Sequence, residues 1–307
     1  MTAPFLTKTS VTSACLGGTV QTYRWNWKGK PVQITYEILG EGQPILLLPA
    51  FSTVSSRTEM RGLAELLATE YQVFALDWPG FGQSDRPALQ YKPAFYQGFL
   101  RDFVQATFSA PVVVIAAGHA AGYVMKLAQQ QPPLWSWVVL VAPTWRGPLP
   151  TAMGEHRRIY RSLQFLVNLP FVGQFLYLLN TFPGLLYLMY RRHVYASAKK
   201  VTRSLIWRKW QTTQRWGARF ASVAFVTGAL DPVRQRDDFM AYFQPLPVPV
   251  LVAIGEQTPP KSRREMEFLA HFSGAQVCRL PGSLGLHEEN PDLLIAEILP
   301  FMRKYLS

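Results

Sequence analysis

Polar and apolar residues alternate along two segments near the start of the chain. The segments are 21–27 and 32–39, and Gly29 lies between them. Since successive side chains of a β-strand point to opposite faces, this alternation predicts strands with one buried and one exposed face. The two segments therefore predict an antiparallel hairpin.

Short, continuously apolar runs follow the hairpin, and amphipathic stretches separate them. The apolar runs are Ile45–Pro49, Val73–Leu76, Val112–Ala117 and Val138–Ala142. The amphipathic stretches are Glu59–Thr69, Ala94–Phe108 and Ala121–Gln130. Apolar strands that alternate with helices are typical of a mostly parallel sheet with helices on both faces, so we predict the α/β class.

The alternation of strands and helices is interrupted once, after residue 143. It resumes with the strands Val248–Gly255 and Gln276–Leu280 and the helices Ser262–His271 and Asp292–Lys304. We therefore predict an α/β core formed by residues 1–143 and 247–307. A helical cap is predicted to be inserted at residues 144–246.

The composition suits a large globular core. Of the 307 residues, 49% are hydrophobic and 16% are charged, which argues against a disordered chain. The N-terminal segment lacks the long apolar stretch of a secretory signal, and the two cysteines, Cys15 and Cys278, have no metal-type spacing. We expect reduced thiols, a cytoplasmic location and no metal or cofactor.

The net charge of +12 is concentrated in the predicted cap. Between Arg146 and Arg219 the sequence has 13 Lys and Arg residues and a single acid, Glu155, while the basic and acidic residues elsewhere balance. Such asymmetry favours an anionic surface as a partner. No nucleic-acid-binding motif accompanies the charge, which argues against a nucleic-acid partner.

A long uncharged segment lies within the predicted cap. Leu163–Tyr190 contains 28 residues without a formal charge, enough to span a bilayer. Prolines and glycines at positions 170, 173, 183 and 184 interrupt it, so we expect short helices instead. The basic residues that flank or follow it are Arg157, Arg158, Arg161, Arg191, Arg192, Lys199 and Lys200. This pattern favours an anionic membrane interface, and a lid that lines a pocket is the alternative.

Three motifs occur in a characteristic order. Leu76–Pro87 contains the pattern D-x-x-G-x-G-x-S, Gly118–Gly122 lies between a strand and a helix, and Gly282–Pro291 precedes the last helix. In this order they resemble the α/β-hydrolase superfamily, of the AB hydrolase-1 type. In that family the second motif is the nucleophile elbow G-x-S-x-G, and the third presents the catalytic histidine. The resemblance covers nearly the whole chain and implies an α/β-hydrolase fold with a cap.

The resemblance also implies a catalytic triad, and two of its three positions hold unsuitable residues. Ala120 stands at the nucleophile position, and its methyl group cannot attack a substrate. Thr258 stands at the acid position, and it cannot supply the negative charge that stabilises an imidazolium. His287 is the one triad residue that is retained. The backbone N–H groups of Phe51 and Ala121 match an oxyanion hole, so a pocket for an anion or carbonyl could persist.

Other polar residues near these loops are candidates for replacing the lost groups. They are Asp231, Glu256 and Glu288 among the acids, and Ser52, Ser55 and Ser56 after the third strand. None of them stands at the elbow, which favours structural roles. His287 is either a base that acts directly on a substrate or a structural remnant, and we favour the remnant. His119, beside the elbow, is interpreted as structural.

The sequence favours a non-hydrolytic protein that binds an apolar or amphipathic small molecule at an anionic membrane surface or on a membrane protein. The run Leu48–Met60 resembles uncharacterised cyanobacterial and chloroplast members of the family that lack the nucleophile serine. This resemblance implies the cytoplasmic side of a thylakoid or plasma membrane. Two enzymatic alternatives remain open: an esterase- or lipase-like hydrolase with a displaced nucleophile, and a lyase or other cofactor-free enzyme that uses His287.

Overall fold

The computed structural model describes residues 15–154, 158–169, 171–271 and 274–305, and an eight-stranded sheet runs through them. The strands are β1 (Thr19–Trp27), β2 (Lys30–Leu39), β3 (Pro44–Leu48), β4 (Gln72–Leu76), β5 (Val112–Ala117), β6 (Trp135–Val141), β7 (Val250–Gly255) and β8 (Ala275–Leu280). Their order in the sheet is β1-β2-β4-β3-β5-β6-β7-β8. Strand β2 is antiparallel to β1 and β4, and the other neighbouring pairs are parallel. The predicted, mostly parallel sheet is confirmed.

The first two strands form the hairpin that the alternating pattern predicts. Trp25 pairs with Val32, and both are buried, while most of their neighbours along β1 remain exposed. Lys28 and Gly29 form the turn with φ angles of 51° and 81°. Positive φ at both central residues matches the right-handed twist of the strands, and glycine adopts it at little cost.

Helices cover both faces of the sheet. They are α1 (Arg61–Leu67), α2 (Pro93–Thr107), α3 (Ala120–Ala128), α4 (Pro148–Met153), α5 (Arg158–Asn168), α6 (Val172–Asn180), α7 (Pro183–Met189), α8 (Arg203–Thr213), α9 (Ala218–Val226), α10 (Arg236–Met240), α11 (Pro260–Ala270), α12 (Leu286–Glu289) and α13 (Pro291–Lys304). A 3-10 turn at Arg57–Met60 leads into α1, and a π-helical turn at Tyr190–Val194 extends α7. The α/β class is thereby confirmed.

The sheet separates two hydrophobic layers, because side chains of each strand alternate between its faces. On β3, Leu46 and Leu48 face the layer that contains α2 and α3, while Ile45 and Leu47 face the layer that contains α1 and α13. The first layer is rich in aromatic residues, and the second is mainly aliphatic. The aromatic layer lies beneath the turn that follows β5.

The segment between β6 and β7 contains α4 to α10, and in its described part every regular element is helical. Its outer helices form two small apolar clusters of their own, around Tyr177 and Leu205. Phe225 of α9 and Phe239 of α10 instead join the aromatic layer of the core. The later part of the predicted cap therefore packs as core, while the boundaries 144 and 246 stay a prediction.

The long uncharged segment is broken into α5, α6 and α7. Among the described residues no single helix is long and apolar enough to cross a membrane. One pair, Val172–Asn180 with Pro183–Val194, has sufficient length and apolar composition, but its two helices are bent by 49°. Proline at the start of the second helix fixes the break, since its ring removes a backbone donor.

Candidate functional site

The strand-to-helix turn after β5 is the first part of the site. Strand β5 ends at Ala117, Gly118 has a φ of +53°, and α3 begins at Ala120. On this kind of fold a nucleophile sits at the sharp turn between strand and helix. The turn occurs at Gly118, so Gly118 is a second candidate for the nucleophile position beside Ala120. Ala120 is fully buried in the first turn of α3.

Aromatic side chains fill the space in front of this turn. Phe51 is 3% exposed, and its ring centroid lies 4.7 Å from Trp78, 4.9 Å from Tyr96 and 5.4 Å from Tyr123. Trp78 is fixed in turn, because its indole N–H donates to the carbonyl of Pro49 at 2.8 Å. Such stacked and edge-on pairs stabilise a closed core rather than an open pocket.

One of the two predicted oxyanion donors is already engaged. The backbone N–H of Ala121 donates to the carbonyl of Gly118 at 3.2 Å. Phe51, the other predicted donor residue, lies with its side chain inside the aromatic layer. The oxyanion hole at Phe51 and Ala121 stays a prediction, and a ligand would have to displace the Ala121 hydrogen bond.

His119 and Asp231 form a buried pair beside the turn. His119 Nε2 lies 3.1 Å from the Leu230 carbonyl and 3.7 Å from Asp231 Oδ1, which accepts the backbone N–H of Gly147 at 2.8 Å. Burial lowers the pKa of His119 to about 4 and raises the pKa of Asp231 well above its usual value. Burial thus disfavours the charged form of both groups, in keeping with the structural interpretation of His119.

His287 belongs to a different cluster, which joins the core to the cap. Its Nε2 lies 3.6 Å from Glu59 Oε2, and both side chains are buried. Lys209 of α8 places its Nζ 3.3 Å from Glu59 Oε1 and 2.8 Å from Glu288 Oε1. Two carboxylates thus lie on either side of a buried ammonium group, and His287 lies next to one of them, Glu59.

The charges of this cluster shift the pKa values of its members. Burial alone would raise the pKa of Glu59, but Lys209 and His287 outweigh it and hold that pKa below its usual value. Burial alone would lower the pKa of Lys209, but Glu288 and Glu59 raise it. Each ion therefore stabilises the charged form of its partner. The pair is ionised in the folded protein.

Thr258 does not reach His287. It follows β7, is 4% exposed, and its backbone N–H donates to the Gly255 carbonyl at 3.1 Å. No hydrogen bond joins its hydroxyl to His287 in the described part of the chain. In the loop after β8, Leu284 packs against the aromatic layer.

The loop after β8 is tied to the cap by several hydrogen bonds. The Gly285 N–H donates to the Val194 carbonyl at 2.7 Å, and the Ser283 hydroxyl donates to the His193 carbonyl at 2.9 Å. The carboxylate of Glu289 accepts the N–H groups of residues 196 and 197 at 2.8 and 2.7 Å. These contacts fix the position of His287 relative to the cap.

A second buried ionic network involves the D-x-x-G-x-G-x-S motif. The guanidinium of Arg57 forms ion pairs with Glu37, at 3.0 Å, and with Asp77, and it donates to Gln83 Oε1 at 3.0 Å. Sequence reasoning assigned no role to Arg57, Glu59 or Lys209. Arg57 and Glu59 are opposite charges two residues apart after β3, and this was the local signal of a buried network. Their partners come from distant segments of the chain.

An open cleft of about 810 Å³ lies between α8 and the core. Its wall is formed by Cys15, Ser56, Arg57, Thr58, Glu59, Arg61, Gly62, Asp77, Gly82, Gln83, Tyr195, Lys200, Thr202, Leu205, Arg208, Lys209, Gln211, Thr212, Arg215, Glu288 and Glu289. Neither the turn at Gly118 nor Phe51 or Thr258 contributes to this wall. The cleft is therefore displaced from the position where the family resemblance predicts chemistry.

The outer surface of the cap is apolar and is bordered by cations. Its exposed apolar side chains are Ile159, Phe165, Leu166, Phe171, Val172, Phe175, Leu178, Leu179, Phe182, Tyr187, Leu188, Met189, Trp207 and Trp216. The cations Arg191, Arg192, Lys199 and Lys200 are exposed beside them. Arg157 and the side chains of Arg158 and Arg161 lie outside the described part of the structure. We call the exposed apolar residues from Ile159 to Met189 the outer cap face.

Comparison with known proteins assigns the fold to a family. A family model described as the alpha/beta hydrolase fold matches residues 43–284. The chain belongs to this family. An esterase from Thermogutta terrifontis superposes with a TM-score of 0.68 at 19% identity, covering 94% of this chain and 100% of that one. A bromoperoxidase from Bacillus anthracis superposes with a TM-score of 0.69 at 15% identity, covering 92% of this chain and 100% of that one. These identities show a shared fold only.

Relatives by sequence match a shorter part of this α/β-hydrolase-fold protein. An uncharacterized protein of Mycobacterium tuberculosis is 32% identical over 107 residues, which are 35% of this chain and 31% of that protein. A 2-hydroxy-6-oxo-6-(2'-aminophenyl)hexa-2,4-dienoic acid hydrolase of Metapseudomonas resinovorans is 30% identical over 95 residues, 30% of this chain and 33% of that enzyme. The matches span about a third of each relative.

Proposed function

We propose that this α/β-hydrolase-fold protein is not a hydrolase and that it binds an apolar or amphipathic molecule or partner at an anionic membrane surface. The turn after β5 is the main support for the proposal that the protein is not a hydrolase. Gly118 stands at the sharp turn and Ala120 follows at the start of α3. Neither residue has an atom that can attack a carbonyl, so no acyl intermediate can form at the elbow.

The other two triad positions support the same conclusion. Thr258 offers a hydroxyl where a carboxylate is needed, and His287 lies against Glu59 in the cluster that Lys209 completes. A base must reach the proton that it abstracts. His287 is 2% exposed and does not contribute to the wall of the cleft. Its surroundings suit a structural residue.

The proposed ligand site is the outer cap face rather than the space above the elbow. Aromatic rings fill that space, whereas Phe171, Phe165 and Phe175 on the cap are 89%, 66% and 62% exposed. Burying a phenylalanine side chain contributes roughly 1.5–3 kcal/mol. Short apolar helices of this kind bind in the interface of a bilayer, where lipid tails provide the apolar phase.

The exposed cations beside the outer cap face support an anionic membrane as the partner. Arg191, Arg192, Lys199 and Lys200 follow α7 in the chain, and each cation near an anionic surface contributes about 1 kcal/mol. Trp207 and Trp216, also in the predicted cap, are exposed, and tryptophan prefers the headgroup region. The resemblance of Leu48–Met60 to cyanobacterial and chloroplast members supports a thylakoid or plasma membrane, on its cytoplasmic side.

One contact favours a second candidate, an enzyme that uses His287. Glu59 Oε2 lies 3.6 Å from His287 Nε2, so a carboxylate stands beside the imidazole. In a catalytic triad the carboxylate binds Nδ1 and leaves Nε2 as the base, so here Nδ1 would have to be the base. Lys209 shares the same carboxylate, however, which weakens its effect on the histidine. We therefore rank this candidate second.

A panel of p-nitrophenyl esters and vesicle sedimentation test the proposal together. We expect no turnover by the wild-type protein, no change in His287→Ala, and salt-sensitive sedimentation with anionic vesicles. The quadruple replacement of Arg191, Arg192, Lys199 and Lys200 by Gln should weaken sedimentation. Turnover that disappears in His287→Ala would support the second candidate, and absence of vesicle binding at low salt would contradict the membrane role.

A further inference from the structure

The cleft beneath α8 contains cations that no carboxylate balances. Arg61, Lys200, Arg208 and Arg215 contribute to its wall, and within the described residues none of them forms an ion pair with a carboxylate. Lys200 donates to a backbone carbonyl and to an amide oxygen instead. Together with Arg57 and Lys209 they make six cations against four carboxylates in the wall (Glu59, Asp77, Glu288 and Glu289), so the cleft carries an excess of positive charge.

Two arginines meet at Gly82, a residue of the cleft wall, and of the two only Arg215 contributes to that wall. Arg86 Nη2 and Arg215 Nη1 donate to the same carbonyl oxygen, that of Gly82, at 2.7 and 2.8 Å. Burial, together with the charge of Arg215, lowers the pKa of Arg86 to about 10. The Nε of Arg86 is buried without a hydrogen-bond partner in the described part of the chain. Two positive guanidinium groups that donate to the same oxygen lie close together and attract an anion.

We infer that this cleft binds a phosphate group, with Lys200, Arg208 and Arg215 donating to its oxygens from the cap and Arg61 from the core. A guanidinium presents a planar set of donors that matches phosphate oxygens two at a time. The cleft volume of about 810 Å³ is sufficient for a headgroup-sized ligand.

The position of the cleft links this site to the membrane. Helix α8 presents Arg208 and exposed Trp207 to solvent, and Lys200 lies both in the cleft wall and among the cations beside the outer cap face. The inference deepens the proposed function, and it rests on that function where the phosphate belongs to a membrane lipid. A soluble phosphate ester would satisfy the same donors.

Titration calorimetry with glycerol 3-phosphate, and sedimentation with phosphatidylcholine vesicles that contain phosphatidylglycerol, test the site. The cleft variant is Arg208→Gln/Arg215→Gln, and the matched control is Arg191→Gln/Arg192→Gln, which removes the same charge outside the cleft wall. We expect the cleft variant to lose at least about tenfold in affinity for glycerol 3-phosphate, while the control keeps wild-type affinity. Arg208→Lys/Arg215→Lys should retain part of the binding.

The outcomes separate this inference from the proposed function. Tighter binding to the vesicles than to glycerol 3-phosphate, lost in the cleft variant, supports a lipid headgroup. Binding of glycerol 3-phosphate without vesicle binding supports a soluble ester and contradicts the membrane role only. If the cleft variant binds both probes as the wild type does, or if the wild type binds neither, the phosphate site is overturned. Vesicle binding that depends only on Arg191 and Arg192 would leave the membrane role standing alone.

Discussion

Lys209 of α8 and Glu59 of the core form a buried ion pair at 3.3 Å, although 150 residues separate them in the chain. Glu288 lies on the other side of the same ammonium group at 2.8 Å, and His287 lies 3.6 Å from Glu59. The retained histidine of the family motif is thus part of a contact that holds the cap on the core. The histidine loop thus contacts helix α8 of the cap through Glu59 and Lys209.

The first prediction concerns this ion pair. Lys209→Met keeps the length of the side chain but leaves buried Glu59 and partly buried Glu288 without their cation. Because breaking one partner of a buried pair leaves an uncompensated charge, we expect a loss of about 3–5 kcal/mol in the free energy of unfolding, measured with urea. Lys199→Met, at an exposed position, should change it by less than about 0.5 kcal/mol. Equal effects of the two variants would show that the pair does not stabilise the fold.

The second prediction concerns the stability of the protein at acid pH. The pKa of Glu59 is lower in the folded protein than in the unfolded chain, so its contribution to stability is present above the unfolded pKa and is lost as the pH falls through the folded value. The stability difference between the wild type and Glu59→Gln should therefore shrink below about pH 4, near the ordinary value for glutamate. Glu41→Gln, at an exposed position, is the control and should show a constant difference. A difference for Glu59→Gln that grows with acid would contradict the pairing.

The third prediction concerns Asp231, whose contribution to stability depends on pH in the opposite direction. Burial raises the pKa of Asp231, so the folded protein holds a neutral carboxyl while the unfolded chain ionises, and stability is lost as the pH rises above the unfolded value. Asp231→Asn can still accept the N–H of Gly147 and carries no such cost. We expect this variant to be at least as stable as the wild type at pH 7 by thermal unfolding. Asp238→Asn, exposed on α10, is the matched control and should be neutral. A large loss in Asp231→Asn would show that the carboxylate is ionised and needed.

The fourth prediction concerns the outer cap face. Phe171→Glu/Phe175→Glu places two carboxylates on the surface that we propose to lie in the bilayer interface, where anionic lipids repel them. Vesicle affinity should fall at least about tenfold with no change in thermal stability, since both rings are exposed. Leu293→Glu, on α13, is an exposed apolar control outside the cap. Equal vesicle binding by the three proteins would exclude this surface as the membrane contact.

Much of the fold follows from local patterns in the sequence. The run Val112–Ala117 is apolar throughout and becomes strand β5 with the same bounds. Helix α2 begins at Pro93, one residue before the predicted start, because proline fits the first turn of a helix. These elements were predictable because the pattern of apolar residues that determines their burial is local in the sequence.

The candidate site was less predictable, because its contacts are long-range. No local pattern pairs Glu59 with Lys209, and no spacing indicates that Phe51 fills the space in front of Gly118. The G-x-S-x-G spacing points to Ala120 as the nucleophile position, while the positive φ of Gly118 makes that glycine a second candidate. Chain geometry decides that position, and motif spacing alone does not specify it.

Covalent trapping tests the central claim most directly. The wild-type protein, Gly118→Ser and Ala120→Ser would each be incubated with a fluorophosphonate, which forms a stable adduct with an activated serine, and their intact masses measured. We predict no adduct on the wild-type protein and none on either variant, because Thr258 supplies no carboxylate and His287 lies beside Glu59 in the cluster that Lys209 completes. A stoichiometric adduct on the wild-type protein, mapped to any side chain, would contradict the account.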